Sequence, residues 1–216
     1  MSGPRILVAV VAIGALLLWA ALAGDEGADL QRGLDQTESA FTAVDDKLAA
    51  LDADYQTLLG QGLALGMRAT HDQIRSGLAS LRSQRVTIRD DTTLDRRERL
   101  PRMLELVDSS DQLLALATNL HLTVTTLVAF RKEAVPLLEL TNDQAARLEQ
   151  LPPIDDARAT RIAALASSLT ETHQKVLMSE QFIRKDVEQG AQFGRQALNA
   201  LRTIDTEQRK LLGETP

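Results

Sequence analysis

Two kinds of hydrophobic pattern divide the chain. Residues 6–23 form an uncharged apolar run, whereas beyond residue 25 apolar side chains recur every three or four positions. The second pattern places apolar residues on one face of an α-helix and is typical of helices that pack against one another. No strand–turn–strand rhythm interrupts it, so the sequence predicts an all-α protein.

Three long segments carry the helical pattern, separated by turn signals. The first ends near Arg89–Thr93 and the second at Pro152-Pro153. Short turns place sequential helices antiparallel to each other. The simplest fold is therefore an elongated, up-down-up three-helix bundle with coiled-coil-like packing over residues 25–213, followed by a short tail, 214–216.

Two glycine pairs have helical i,i+4 spacing, Gly62/Gly66 and Gly190/Gly194. Counting residues along the three predicted helices puts both pairs at the same level. Because glycine has no side chain, the first and third helices are expected to approach closely there and form a packed waist. A hinge or small pocket at the waist is one alternative. Another is a kink at the first pair, which folds the first segment back and gives a four- or five-helix bundle.

The apolar run has the length of a membrane-spanning helix. Its eighteen residues reach roughly 27 Å as a helix, close to the hydrocarbon thickness of a bilayer. Arg5 precedes the run and acidic residues follow it, which predicts a cytoplasmic N-terminus. Residues 1–24 are thus a predicted anchor of a single-pass bacterial membrane protein with its bulk in the periplasm. Ala21-Leu22-Ala23 before Gly24 leaves a cleaved signal peptide as the alternative.

Composition narrows the function further. A net charge of −6 disfavours nucleic-acid binding, which requires a basic surface. The chain has no cysteine, hence no thiol chemistry. The three histidines lie too far apart along the predicted bundle to share a metal ion. We find no nucleophile with a matching base and no cofactor loop, so we predict no catalytic, metal or cofactor site and a protein that is not an enzyme.

An arginine cluster surrounds the first predicted turn, and acidic residues partly offset it. Arginine binds carboxylate and phosphate groups through two parallel hydrogen bonds, so the cluster is a candidate partner-binding site. The alternative is a solvated turn held by salt bridges. The candidate partner-binding residues are Arg85, Arg89, Arg96, Arg97 and Arg99.

Residues 112–130 carry no charge and are interpreted as a helix buried on several sides, with threonine hydroxyls bonded to the preceding turn. A segment that inserts into membranes is the alternative.

Together these features predict an anchored, non-catalytic scaffold or adaptor that binds a protein partner through helix faces and the arginine-rich turn. A ligand-sensing bundle acting through a partner and a membrane-active protein using residues 112–130 remain alternatives. A homo-oligomer formed through leftover apolar positions also remains open.

Overall fold

In a computed structural model, every regular element in the part of the protein that the structure describes is an α-helix. Described are the backbone of residues 3–151 and 155–214, and the side chains of 28–151 and 155–214 except those of Leu65 and Arg96. The helices in this part are α1 (Gly3–Gly60), α2 (Leu65–Asp90), α3 (Arg96–Glu149), α4 (Asp156–Lys185) and α5 (Val187–Leu212). The all-α prediction is confirmed. The prediction of three continuous helices is wrong, because the first and third segments each break into two.

The first break is a glycine-dependent turn after α1. Gly62 has a φ of 71°, in the left-handed region that favours glycine. Its N–H donates to the carbonyl of Leu59 (3.0 Å), and the N–H of Leu63 donates to the carbonyl of Leu58 (2.9 Å). This pair of bonds is the Schellman motif, which satisfies the last carbonyls of a helix and redirects the chain. The alternative in which the glycines fold the first segment back is therefore the correct one.

Alanine at Gly62 is expected to lower the free energy of unfolding by about 1–2 kcal/mol, because a Cβ atom disfavours the left-handed conformation by that amount. Asparagine is expected to cost less, since it tolerates this conformation better than other residues with a side chain. Gly60→Ala is the matched control, because Gly60 is helical and a Cβ there meets no atom within 4 Å. Thermal unfolding followed by circular dichroism measures all three variants. Equal melting temperatures for the two alanine variants would contradict the assignment.

The second break occurs at one residue, Asp186. Its backbone is extended (φ −148°), and its N–H donates to the carbonyl of Phe182 (2.7 Å) at the end of α4. Its carboxylate then accepts the N–H of Gln189 (3.0 Å) and caps the start of α5. One aspartate thus ends one helix and begins the next, satisfying orphan backbone groups on both sides.

Helices α4 and α5 fold back on each other as an antiparallel hairpin. Near the turn, the rings of Phe182 and Phe193 meet edge to face with centroids 5.5 Å apart. Near the open end, Arg161 forms a 3.0 Å ion pair with Glu207. Residue numbers therefore rise along one helix as they fall along the other. The single third helix that the sequence predicts is therefore two helices, each about half the expected length.

The chain divides into two compact units. One comprises Met1–Ala50 and Thr70–Thr118, and the other comprises Leu51–Ala69 and Asn119–Pro216. Helices α1, α2 and α3 contribute residues to both units, whereas α4 and α5 belong to the second.

The first unit packs parts of α1, α2 and α3 in an up-down-up arrangement. Ion pairs join Arg82 to Asp45 and Arg85 to Glu38, so α2 runs antiparallel to α1. The buried apolar residues recur every three or four positions, as the helical pattern predicted. They include Phe41, Val44, Leu48, Ile74, Leu78, Leu81, Met103, Leu106 and Ala117.

The second unit packs the remainder of α3 with the α4–α5 hairpin and with the end of α1. Arg202 pairs with Glu133 (2.8 Å), and Gln144 donates to Asp205 (2.8 Å), so α5 runs parallel to α3. Its core includes Leu51, Tyr55, Leu58, Leu120, Val124, Leu127, Leu169, Val176, Ile183, Ala197, Leu201 and Ile204.

Candidate functional site

The turn between α2 and α3 is held by its own hydrogen bonds. Asp91 accepts from the hydroxyl (2.6 Å) and the N–H (2.8 Å) of Thr93. The bond from the hydroxyl, followed by that from the N–H, lowers the pKa of Asp91 below its usual value. A lowered pKa means that these bonds add stability above the unfolded-state pKa and lose it as the pH falls through the folded-state pKa. We therefore expect this turn to keep its geometry at neutral pH.

Three of the predicted partner-binding arginines are engaged within the chain. Arg85 bonds to the carboxylate of Glu38 and to a backbone carbonyl of α1, so it crosslinks two helices. Arg89 forms hydrogen bonds of 2.8 and 3.1 Å to its neighbour Asp90, and Arg99 donates to the carbonyl of Asp91. Of these contacts, the Arg89–Asp90 pair is a salt bridge within the turn, as the alternative of a turn held by salt bridges expects.

The other two predicted arginines add little to the site. Arg97 also interacts within the chain. The side chain of Arg96 lies outside the described residues. Arg102, which was not among the predicted binding residues, is exposed and forms no ion pair or hydrogen bond within the described part of the chain. Among the arginine side chains described near the turn, Arg102 therefore carries a positive charge that no described residue pairs with.

Arg102 lines a groove between α2 and α3, here called the α2–α3 groove. The groove measures about 450 Å³. Ile88 is half-buried and Leu106 is buried at the groove, and the groove is also lined by one cation, Arg102, and one carboxylate, Glu105. Its lining residues are Ser83, Gln84, Thr87, Ile88, Arg102, Glu105 and Leu106.

The sequence predicts that Gly62/Gly66 and Gly190/Gly194 pack against each other as a waist, and this prediction is wrong. A Cβ atom built at Gly62 or Gly66 meets no described atom within 4 Å, so these glycines make no close approach to another helix among the described residues. A Cβ at Gly190 instead meets the backbone of Ile183 in α4, and one at Gly194 lies 3.0 Å from the ring of Phe130. The breaks at 61–64 and at Asp186 invalidate the residue counting, which assumed straight, continuous helices.

A second groove lies where α1 ends, beside α3, and is here called the α1–α3 groove. It measures about 420 Å³ and is mostly apolar. Arg131 at this groove pairs with Glu180 of α4, whose side chain is only 9% exposed. Lys132 is exposed and forms no ion pair with any described residue. The lining residues are Thr57, Leu58, Gln61, Val128, Arg131, Lys132, Val135 and Pro136.

Among the residues whose side chains are described, α3 is the one helix long and apolar enough to cross a membrane, with a mean hydropathy of 1.7 over an 18-residue window. Burial within 112–130 follows one face, and Leu122 on another side is 51% exposed, so the interpretation as a helix buried on several sides is wrong. The hydroxyls of Thr123 and Thr125 do bond to the preceding turn, at 2.8 and 2.9 Å. The buried positions are Ala117, Leu120, Val124, Leu127 and Phe130.

A polar layer interrupts the core of the second unit. Asp205 accepts hydrogen bonds of 2.8 Å from both Gln144 and Arg209. Gln208 is only 1% exposed, and neither atom of its amide forms a hydrogen bond with a described residue. Burying unpaired polar atoms is unfavourable, so this layer weakens the packing of α5. The sequence indicates that Gln208 is buried, because it falls between Ile204 and Leu211 at the spacing of core positions.

Among the described residues, no group of three or more histidine, aspartate or glutamate side chains is arranged to hold a metal ion. The predicted anchor, residues 6–23, lies outside the residues whose side chains are described.

Comparison with protein-family models, with curated proteins and with solved structures finds no match to this chain.

Proposed function

We propose that the protein is a membrane-anchored adaptor of the bacterial envelope, non-catalytic, with its bulk on the periplasmic side. The observation that carries the proposal is the continuity of α1, which is helical from Gly3 to Gly60. The apolar run 6–23 and the first helix of the bundle are thus parts of one helix. A bundle fixed to an anchor in this way is suited to holding a partner at a set place on the membrane.

The α2–α3 groove is the docking surface that we propose for a protein partner. Half-buried Ile88 offers apolar surface, and Arg102 offers a guanidinium that forms no ion pair with a described residue. Glu105 adds one carboxylate to the same lining. This combination favours a segment with an acidic side chain next to apolar ones, because arginine binds carboxylates bidentately. Arg85 then joins α1 to α2, and Arg89 and Arg99 bond within the turn, rather than acting as direct contacts.

Photocrosslinking in intact cells tests this proposal. A photoreactive amino acid replaces Gln84, which lines the groove, in the full-length chain. The control replaces Gln192, an exposed residue of α5. We expect one discrete adduct from position 84 and none of that mass from position 192. The absence of an adduct at position 84, or the same adducts from both positions, would contradict the proposed surface.

Charge reversal provides a second, independent result. Arg102→Glu is expected to reduce the position-84 adduct at least tenfold, because truncating or reversing a charge that pairs across an interface is costly. Arg195→Glu is the matched control, since Arg195 is also exposed and without a partner among the described residues. An adduct of unchanged yield in Arg102→Glu would show that the arginine does not contact the partner.

A further inference from the structure

The α1–α3 groove is lined by apolar side chains and by cations, together with two neutral polar residues. Half-buried Val128 and Val135 and exposed Pro136 supply hydrocarbon surface. The charged side chains that line the groove are both cations, Arg131 and Lys132, and no carboxylate lines it. A ligand complementary to this surface has an apolar body and an anionic end.

The two cations have different roles. Arg131 is paired with the nearly buried carboxylate of Glu180, so this pair fixes the guanidinium in place and neutralises its charge. Lys132 has no such counter-ion among the described residues. A carboxylate bound at Lys132 gains a charge-assisted hydrogen bond without displacing an existing ion pair.

The size of the groove limits the ligand. Small-molecule sites measure roughly 300–1,000 Å³, and this groove, at about 420 Å³, is near the lower end. It accommodates one hydrocarbon chain of moderate length rather than the paired chains of a phospholipid. A free single-chain acid therefore fits the groove better than a membrane lipid does.

We propose that the α1–α3 groove is a binding site for a single-chain amphiphilic carboxylate. The chain lies against Val128, Val135 and Pro136, and the carboxylate binds the ammonium group of Lys132. Burial of the chain supplies most of the affinity, and Lys132 selects an anionic over a cationic head group. This site shares no residue with the α2–α3 groove, so the result of its test does not depend on the adaptor proposal.

Photolabelling of the full-length protein in phosphatidylcholine nanodiscs tests the site. The probe is a decanoate that carries a diazirine on its chain, and peptide mass mapping locates the label. We expect labelling concentrated in residues 57–61 and 128–136, displaced by excess decanoate but not by decyltrimethylammonium. Uniform labelling, or equal displacement by the cationic amphiphile, would overturn the proposal. Stronger labelling of the same peptides by a photoreactive phosphatidylcholine would also overturn it in favour of a lipid site.

Two charge reversals complete the test. Lys132→Glu is expected to reduce specific labelling at least tenfold, whereas Lys185→Glu, at an exposed lysine outside the groove, leaves it unchanged. Because both lysines are exposed, both variants are expected to fold, and their helical content by circular dichroism verifies this. Labelling that is equal in the two variants would refute the role of Lys132.

Discussion

Replacing Gly190 with alanine is expected to lower the free energy of unfolding by about 3 kcal/mol, at the upper end of the cost of overpacking a core. The added Cβ would lie 2.5 Å from the Cα of Ile183 and 2.6 Å from the carbonyl carbon of Phe182. Both are backbone atoms, so no side-chain rotation relieves the clash. Helix α5 must move away from α4, which also separates the rings of Phe182 and Phe193.

Two other glycines provide matched controls for this variant. Alanine at Gly194 meets the ring of Phe130 at 3.0 Å, and because a ring can shift, we expect a smaller loss of about 1 kcal/mol. Alanine at Gly66 meets nothing within 4 Å and is expected to leave stability unchanged or raise it by up to about 1 kcal/mol. Thermal or urea unfolding of the detergent-solubilised chain ranks the three variants. A Gly190→Ala protein as stable as Gly66→Ala would disprove the close packing of α4 on α5.

Replacing Gln208 with leucine is expected to stabilise the protein by about 1–3 kcal/mol, the cost of leaving a buried polar group unpaired. Gln208 is 1% exposed and its amide forms no hydrogen bond with a described residue, whereas leucine has a similar volume and no polar atom. Most core substitutions destabilise, so the sign of this effect is diagnostic.

The control for Gln208→Leu is Gln196→Leu, an exposed position on the same helix, where a change within about 0.5 kcal/mol is expected. Urea unfolding measures both, and an increased midpoint with an unchanged slope is the expected result for Gln208→Leu. A lower midpoint would mean that the amide is paired in solution and that the polar layer stabilises the bundle.

The helical class and most core positions follow from the spacing of apolar residues, but the number of helices does not. The apolar pattern continues in phase through Ile183, Val187 and Gly190, so periodicity alone conceals the break at Asp186. Local charges do mark it. Arg184 and Lys185 are favourable at a helix C-terminus, and an aspartate cap followed by Glu188 is favourable at the next N-terminus.

The candidate sites could be predicted only in part from the sequence. The arginine cluster was evident, yet which arginines are already paired depends on α1 residues such as Glu38, about fifty positions away in the chain. The α1–α3 groove was not foreseen, because it depends on the Schellman turn that ends α1. An arginine at a core position, such as Arg131 between Leu127 and Ala134, was the available signal for the buried pair with Glu180.

Whether the chain stays anchored in the membrane, as the adaptor proposal requires, is measured most directly by its intact mass in separated membrane and soluble fractions of the native cells. We predict that the protein in the membrane fraction has a mass that still includes residues 6–23, because these residues remain as the anchor. A mass that begins at Gly24, found in the soluble fraction, would contradict the proposal and identify a free exported bundle.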